Sequence, residues 1–332
     1  MSAGSLKLGV VGVGSLGFHH ARLLRELPGA ELVGIHDVRE DRLAEVASML
    51  GVPGFASLAE LLDRTSACVI AVPTEAHEAV AVRALERGVH VLIEKPIAPT
   101  LDAADRILLA AEATNTLIQI GHVERFNGAL RACEPYLEEP LFVESHRLAP
   151  FGPRGTDVAV VLDLMIHDVD LVLSILRRPV VGVAAVGVPV LTASPDIANA
   201  RLEFEGGGVA NLTASRVSVE RMRKIRFFQR SGYISLDLAT GTGEYLRLRP
   251  GLSFAPGRPL AAAKLEEIIE FVPLRADGTE PLRCELDSFV AAVTGAGPVV
   301  VTGRDGRDAL AVALQIVERI EAHVTDRNPA RA

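Results

Sequence analysis

LKLGVVGVGSLGF, residues 6–18, decides the fold. Leu6 to Val11 is a short apolar run rich in β-formers and reads as a buried strand. Gly12-Val13-Gly14-Ser15-Leu16-Gly17 comes next, and a helical pattern runs from Phe18 to Glu26. A second apolar strand, Glu31 to Ile35, leads into Asp37, twenty residues after Gly17. Each glycine has its own reason. Gly12 permits a tight turn, Gly14 lets the backbone approach a ligand, and Gly17 lets the helix pack against the strand.

Strand, G-x-G-x-x-G turn, helix and an acid at this distance form a Rossmann dinucleotide-binding unit. The helix beginning at Ser15, Leu16 and Gly17 offers free N–H groups and a positive dipole end to a pyrophosphate. Asp37 accepts both ribose hydroxyls of NAD and repels a 2′-phosphate, while Arg39 softens that repulsion. NAD is the expected cofactor, with NADP the alternative.

The alternation continues outward. Arg42 to Leu50 reads as a helix, Ala67 to Val72 as a buried strand, Ala76 to Arg87 as a helix closed by Gly88, and His90 to Ile93 as another strand. Such alternation means a parallel sheet with right-handed crossovers, and ligands bind beyond its C-terminal strand ends. Two polar clusters stand there, Pro73-Thr74-Glu75 after Val72 and Glu94-Lys95-Pro96. Lys95 is at the edge expected to face a nicotinamide.

The chain of 332 residues has room for about two domains. A net charge of −8 argues against a nucleic-acid binder. Three scattered cysteines, Cys68, Cys133 and Cys284, fit a reducing cytoplasm and support neither a disulfide framework nor a metal site. The apolar N-terminal run is broken by regularly spaced glycines, unlike a signal peptide, and no run reads as a membrane span.

After Gly121 the pattern changes. Leu141 to Arg147, Val181 to Val190, Ile197 to Phe204, Gly208 to Val217 and Lys224 to Gln229 read as strands, some separated by tight glycine turns. Leu286 to Thr294 and Arg307 to His323 read as closing helices. The fold class is α/β: a Rossmann domain over 1–121, then an α+β domain over 122–332 on an antiparallel sheet. The C-terminal helix is expected to pack back on the first domain.

VVLDLMIHDVDL, residues 160–171, lies in a helix expected over 157–176. Asp163, His167, Asp170 and Ser174 fall on one face of an otherwise apolar helix. Burying such groups is costly unless they are paired, so the stripe is either a satisfied network or the lining of a cavity. Arg216, Arg221, Arg223 and Arg230 form a basic patch around the strand 224–229, read as a solvated face or as a site for a phosphorylated substrate. Arg147 and Arg154 are better placed, because they lead into this helix. Glu144 and His146 alternate on one strand face, with an inward orientation as one option. His122, Glu124, Arg125 and Asn127 come after the last Rossmann strand and are further candidates for lining the substrate cleft, with a structural hinge role the alternative for His122. His19 and His20 read as packing or capping residues.

HVLIEKPIA, residues 90–98, together with the glycine turn and the Pro73-Thr74…His77 segment, resembles the Gfo/Idh/MocA oxidoreductases. The resemblance covers nearly the whole chain. It implies a second domain on a large, mostly antiparallel open sheet, and assembly as a homodimer or homotetramer. It also implies a catalytic lysine, matched by Lys95, and an Asp-x-x-x-His pair, matched by Asp163 and His167. The implied cofactor residues are Gly12, Gly14, Ser15, Leu16, Gly17, Asp37, Arg39, Val72, Pro73, Thr74, His77, Glu94 and Lys95. The chain departs from the common pattern at Val158-Ala159-Val160-Val161 and Met165, where many members carry glycine.

GHVERFN (121–127), residues 144–176 and residues 196–218 resemble a subgroup, the UDP-N-acetylglucosamine 3-dehydrogenases, although Gly128 stands where that motif has proline. That resemblance implies oxidation of a sugar ring hydroxyl to a 3-keto nucleotide sugar, which a PLP-dependent aminotransferase consumes in lipid A synthesis. His167 is the expected base and Asp163 its orienting partner, with Lys95 on the reacting oxygen; Lys95 as the base is left open. Another sugar, a uronate nucleotide sugar or an inositol is the alternative substrate. A non-catalytic dinucleotide sensor is the alternative of a different class.

Overall fold

β1 (Leu6–Val11) is buried from Leu8 onward, as a central strand covered on both faces must be. The structure, a computed structural model, describes residues 5–152, 158–249 and 268–327. From β1 the chain continues through α1 (Ser15–Leu24), β2 (Ala30–His36), α2 (Glu40–Leu50), α3 (Leu58–Leu62) and β3 (Ala67–Ile70). It then forms α4 (His77–Leu85), β4 (His90–Glu94), α5 (Leu101–Thr114) and β5 (Ile118–Gly121). These strands make a parallel sheet in the order β2-β1-β3-β4-β5.

One more segment touches the β2 edge. Ile35 N–H donates to the Pro53 carbonyl at 3.0 Å, and Phe55 N–H donates to the Ile35 carbonyl at 2.9 Å. Gly54 is thus a third strand reduced to a bridge. Counted with it, the order is 3-2-1-4-5-6, the order of a dinucleotide-binding sheet.

The second half begins with α6 (Gly128–Cys133), β6 (Phe142–Leu148) and α7 (Ile166–Leu176), the last preceded by a π-helical turn, Val161–Met165. Then come β7 (Val180–Val188), β8 (Ile197–Phe204), β9 (Val209–Ser215), β10 (Met222–Gln229), β11 (Gly232–Asp237), β12 (Thr242–Leu248) and β13 (Ile269–Arg275). Among the described residues they form an eight-stranded sheet, β13-β12-β11-β10-β6-β9-β8-β7. Within it β6 and β9 run parallel and every other neighbouring pair antiparallel. Gly128 has a structural reason: a Cβ there would lie 2.4 Å from the Ala276 Cβ, just past β13.

α8 (Pro281–Val293) and α9 (Gly303–Arg327) close the chain. The chain divides into two compact units, Met1–Val123 with Glu280–Ala311, and Glu124–Thr279 with Val312–Ala332. This differs from a single cut at 121/122. The reason is the apolar face of α8: Leu286, Phe289 and Val290 belong to the same core as Leu8, Val10, Leu24 and Ile35. Among the described residues no helix is long and apolar enough to cross a membrane.

Candidate active site

In the first unit the glycine turn comes directly after β1. Gly12 adopts φ +83°, and a Cβ there would lie 2.6 Å from the Ala71 carbonyl oxygen and 2.9 Å from Val72. A Cβ on Gly17 would lie 1.8 Å from the Gly12 carbonyl oxygen, so close packing demands glycine. Gly14 is different: a Cβ there would meet nothing within 4 Å. Gly14 is also the N-cap of α1, and no side chain caps that helix. An open surface at an uncapped helix N-terminus is the shape a pyrophosphate requires, so these residues fit a dinucleotide.

Asp37 closes over the same turn. Its Oδ2 accepts the Val13 N–H at 2.9 Å and its Oδ1 the Arg39 N–H at 2.9 Å. The Arg39 side chain is largely exposed, 3.7 Å from the Asp37 carboxylate. Arg42, absent from the expected site, donates from Nε to the Val13 carbonyl at 2.8 Å. A cation in the first turn of α2, five residues after Asp37, was the available signal.

At the neighbouring strand ends, Val72 and Thr74 are half-buried, Pro73 is exposed and Lys95 is half-buried. Two expected cofactor residues and one expected substrate residue are buried. His77 is buried, its Nδ1 2.9 Å from the Pro96 carbonyl and its Nε2 3.0 Å from the Val72 carbonyl. It braces two loops and is not exposed to a cofactor. Burial pulls its proton affinity down, opposed by those carbonyls and by the Glu94 charge. Glu94 is also buried, and its Oε1 accepts from His20 Nε2 at 2.7 Å. His122 is fully buried.

In the second unit, Asp163 lies within the π-helical turn and His167 in the first turn of α7, both half-buried. The uniform face expected from a 3.6-residue period does not carry through, because a π-turn shifts the phase of the residues after it. Asp170 is buried and receives both arms of Arg125, at 2.6 and 2.8 Å. The Ser174 hydroxyl donates to the Leu171 carbonyl at 2.7 Å. Asp170 and Ser174 thus belong to a network, and Asp163 and His167 stay the candidates for chemistry.

Two of the expected substrate arginines, Arg147 and Arg125, stand in ion pairs. Arg147 is buried, and its fork donates to Asp168 at 2.8 and 3.0 Å and to Glu124 at 2.8 Å. Burial works against its charge, but Asp168 and Glu124 more than reverse that and raise its pKa. Arg125 is committed to Asp170. Asn127 is buried, donating to Glu124 and to the Leu238 carbonyl while its Oδ1 caps α6 at the Ala129 N–H. His146 and Glu144 point away from the α7 face, since Arg147, one residue on, reaches α7 and strand side chains alternate. Arg154 lies outside the described residues.

The basic patch likewise disperses. Arg216 is buried and donates to the Val158 carbonyl, Arg226 pairs with Glu144 at 3.0 Å, and Arg223 stands 3.5 Å from Glu124. Asp168 was not among the expected site residues, because it falls off the expected polar face; Glu124, an expected cleft residue, is buried and accepts from Arg147 and Asn127. Among the described residues no cluster of three or more His, Cys, Asp or Glu is placed to hold a metal ion.

Two family models match: "Oxidoreductase family, NAD-binding Rossmann fold" over residues 6–122, and "GFO/IDH/MocA C-terminal domain" over residues 120–235. UDP-N-acetylglucosamine 3-dehydrogenase of Acidithiobacillus ferrooxidans is 37% identical over 322 residues, covering 96% of this chain and 98% of the relative. A solved structure of that enzyme superposes with a TM-score of 0.87, covering 96% of this chain and 98% of the other. Myo-inositol 2-dehydrogenase of Thermotoga maritima is 26% identical, covering 92% of this chain and 93% of the relative. With its glycine turn and both domains matched, the chain belongs to the Gfo/Idh/MocA family of oxidoreductases, with an NAD-binding Rossmann fold at its N-terminus.

Proposed function

We propose that this protein oxidises the 3-hydroxyl of UDP-N-acetylglucosamine with NAD, giving a 3-keto nucleotide sugar. The observation that carries the reading is the 37% identity to a UDP-N-acetylglucosamine 3-dehydrogenase across 96% of the chain. In this reading Gly12, Gly14, Ser15, Leu16 and Gly17 hold the pyrophosphate and Asp37 the ribose. Bound NAD supplies the hydride acceptor. His167 takes the hydroxyl proton, Asp163 orients its imidazole, and Lys95 hydrogen-bonds the reacting oxygen as charge develops. In this reading the ketone goes on to a PLP-dependent aminotransferase, and the reaction belongs to amino-sugar and lipid A synthesis in the cytoplasm.

Assembly as a homodimer or homotetramer belongs to the same reading. The face of the large sheet opposite α7 supports it with an aromatic row. Phe142 stacks on Phe228 at 5.1 Å, and Phe228 lies 5.0 Å from Tyr233. Phe271, further along the row, is 59% exposed, a large apolar side chain suited to cover by another chain.

The test is a substrate panel read by nicotinamide absorbance. NAD or NADP is mixed with UDP-N-acetylglucosamine, its uronate, N-acetylglucosamine or myo-inositol, with an aminotransferase and glutamate draining the ketone. Reduction of NAD with UDP-N-acetylglucosamine is expected. Turnover of a polyol alone would replace the substrate, and NAD binding without turnover of any member would favour a sensor.

Gly14→Ala separates cofactor contact from fold. The added Cβ enters open space, so the melting temperature should stay within about 2 °C, apart from a small backbone term. NAD affinity should fall about tenfold or more, because the methyl stands where the backbone approaches the pyrophosphate. Unchanged NAD affinity would remove Gly14 from the site.

A further inference from the structure

The segment Glu94-Lys95-Pro96 is gripped on both sides by buried histidines that the proposed chemistry does not use. On one side, Glu94 Oε1 accepts from His20 Nε2 at 2.7 Å, and His20 has no exposed surface. Glu94 Oε2 turns back to accept the Lys95 N–H at 3.2 Å. Gly121, at the end of the adjacent β5, leaves the room: a Cβ there would lie 3.0 Å from that same Oε2. On the other side, the His77 ring is wedged between the Pro96 carbonyl at 2.9 Å and the Val72 carbonyl at 3.0 Å. A neutral ring donates to only one of these two carbonyls and the imidazolium to both; in either state the ring sits between the loop after β3 and the loop after β4.

A third buried group bears on the charge of Glu94. Glu285, on α8, is fully buried, and neither carboxyl oxygen has a hydrogen-bond partner among the described residues. Two neighbouring buried carboxyls cannot both ionise cheaply. Burial and the Glu94 charge push the Glu285 carboxyl well above its ordinary range. For Glu94 burial acts in the same upward direction, but His20 and Lys95 outweigh it and hold the group below its ordinary value. Of the two acids, Glu94 is the one whose charged form is favoured and Glu285 the one whose neutral form is favoured.

We propose that His20 and His77 are positioning residues that clamp the 94–96 segment from its two sides and so orient the Lys95 amine. A side chain on a strand-end loop is aimed by its backbone, and a shift of about 1 Å at a reacting group can cost about 10²-fold. The inference rests on Lys95 serving the reacting oxygen, so its test has one arm that needs no substrate.

That arm is the rate at which a small acylating reagent labels Lys95 in the NAD-free protein, read by peptide mass spectrometry against Lys7. His20→Leu and His77→Phe should change the Lys95 rate about threefold or more and leave Lys7 unchanged. His20→Gln and His77→Asn, which keep one N–H donor each, should restore most of the wild-type rate. Glu285→Gln, a neutral stand-in for a neutral acid, should leave it within about twofold. In the kinetic arm, with whichever substrate the wild type turns over, kcat should fall about 10–100-fold in the apolar variants and KM for NAD should hold. Equal Lys95 labelling in wild type and both apolar variants overturns the clamp. If an apolar variant does not fold, the paired polar variant decides: wild-type labelling supports the clamp, and labelling changed as for a lysine freed by unfolding overturns it.

Discussion

Replacing Arg147 with alanine should destabilise the protein by about 3–5 kcal/mol, the range for removing one member of a buried ion pair. The size reflects the two carboxylates left behind. Glu124 and Asp168 are buried, and Arg147 supplies each with charged hydrogen bonds of 2.8 Å. Arg223, 3.5 Å from Glu124 and partly exposed, relieves that one carboxylate weakly and gives Asp168 nothing comparable. Urea unfolding checks it: the midpoint should fall with the slope unchanged, the mark of a stability effect. Arg147→Lys keeps the charge but loses the planar fork that engages both Asp168 oxygens, so it should recover part of the loss. A loss below about 1 kcal/mol for the alanine variant, the range of exposed pairs, would mean the network is wet.

His167→Ala should lower kcat by about 10²–10⁴-fold, the usual worth of a positioned general base. NAD dissociation, measured by nucleotide fluorescence, should stay as in wild type, because the glycine turn and Asp37 are untouched. Two features argue against a large stability change. His167 is half-buried, and the packing of α7 comes from Val169, Leu171 and Val172 with the Asp168 and Asp170 ion pairs. The partner experiment is Lys95→Met. If Lys95 stabilises the alkoxide and His167 is the base, the histidine variant should lose the acid limb of its pH–rate profile and the lysine variant should keep it. The reverse assignment of limbs makes Lys95 the base. Full activity in His167→Ala would remove His167 from the chemistry.

The first sheet was readable because its strands are short apolar runs punctuated by glycine, and Leu8, Val69 and Leu92 are indeed fully buried. Its edges were not. The third strand survives as a two-bond bridge at Gly54, too short to leave a pattern. The far strands β11, β12 and β13 escaped for a related reason. β12 opens Thr-Gly-Glu and β13 carries Pro273, residues that argue against a strand, yet proline is tolerated on an edge. The glycines and Asp37 were legible because their spacing is dictated by backbone geometry. The arginines were not: charge along a sequence does not say which carboxylate the fold will bring to it. Arg125 met Asp170, 45 residues away, while Arg147 met Asp168 and Glu124, 21 and 23 residues away.

The return of α8 to the first core reaches beyond packing, into synthesis. Leu286, Phe289 and Val290 fill one side of a core whose other side is made by Leu8, Val10 and Ile35. A nascent chain emerges from its N-terminus, so the cofactor half leaves the ribosome with an open apolar wall, and residues 124–279 must all be made before that wall closes. During that interval the apolar wall is exposed, the kind of surface that a chaperone covers. A gene fragment ending at residue 279 would leave the wall open permanently, which makes the cofactor half a poor candidate for expression by itself.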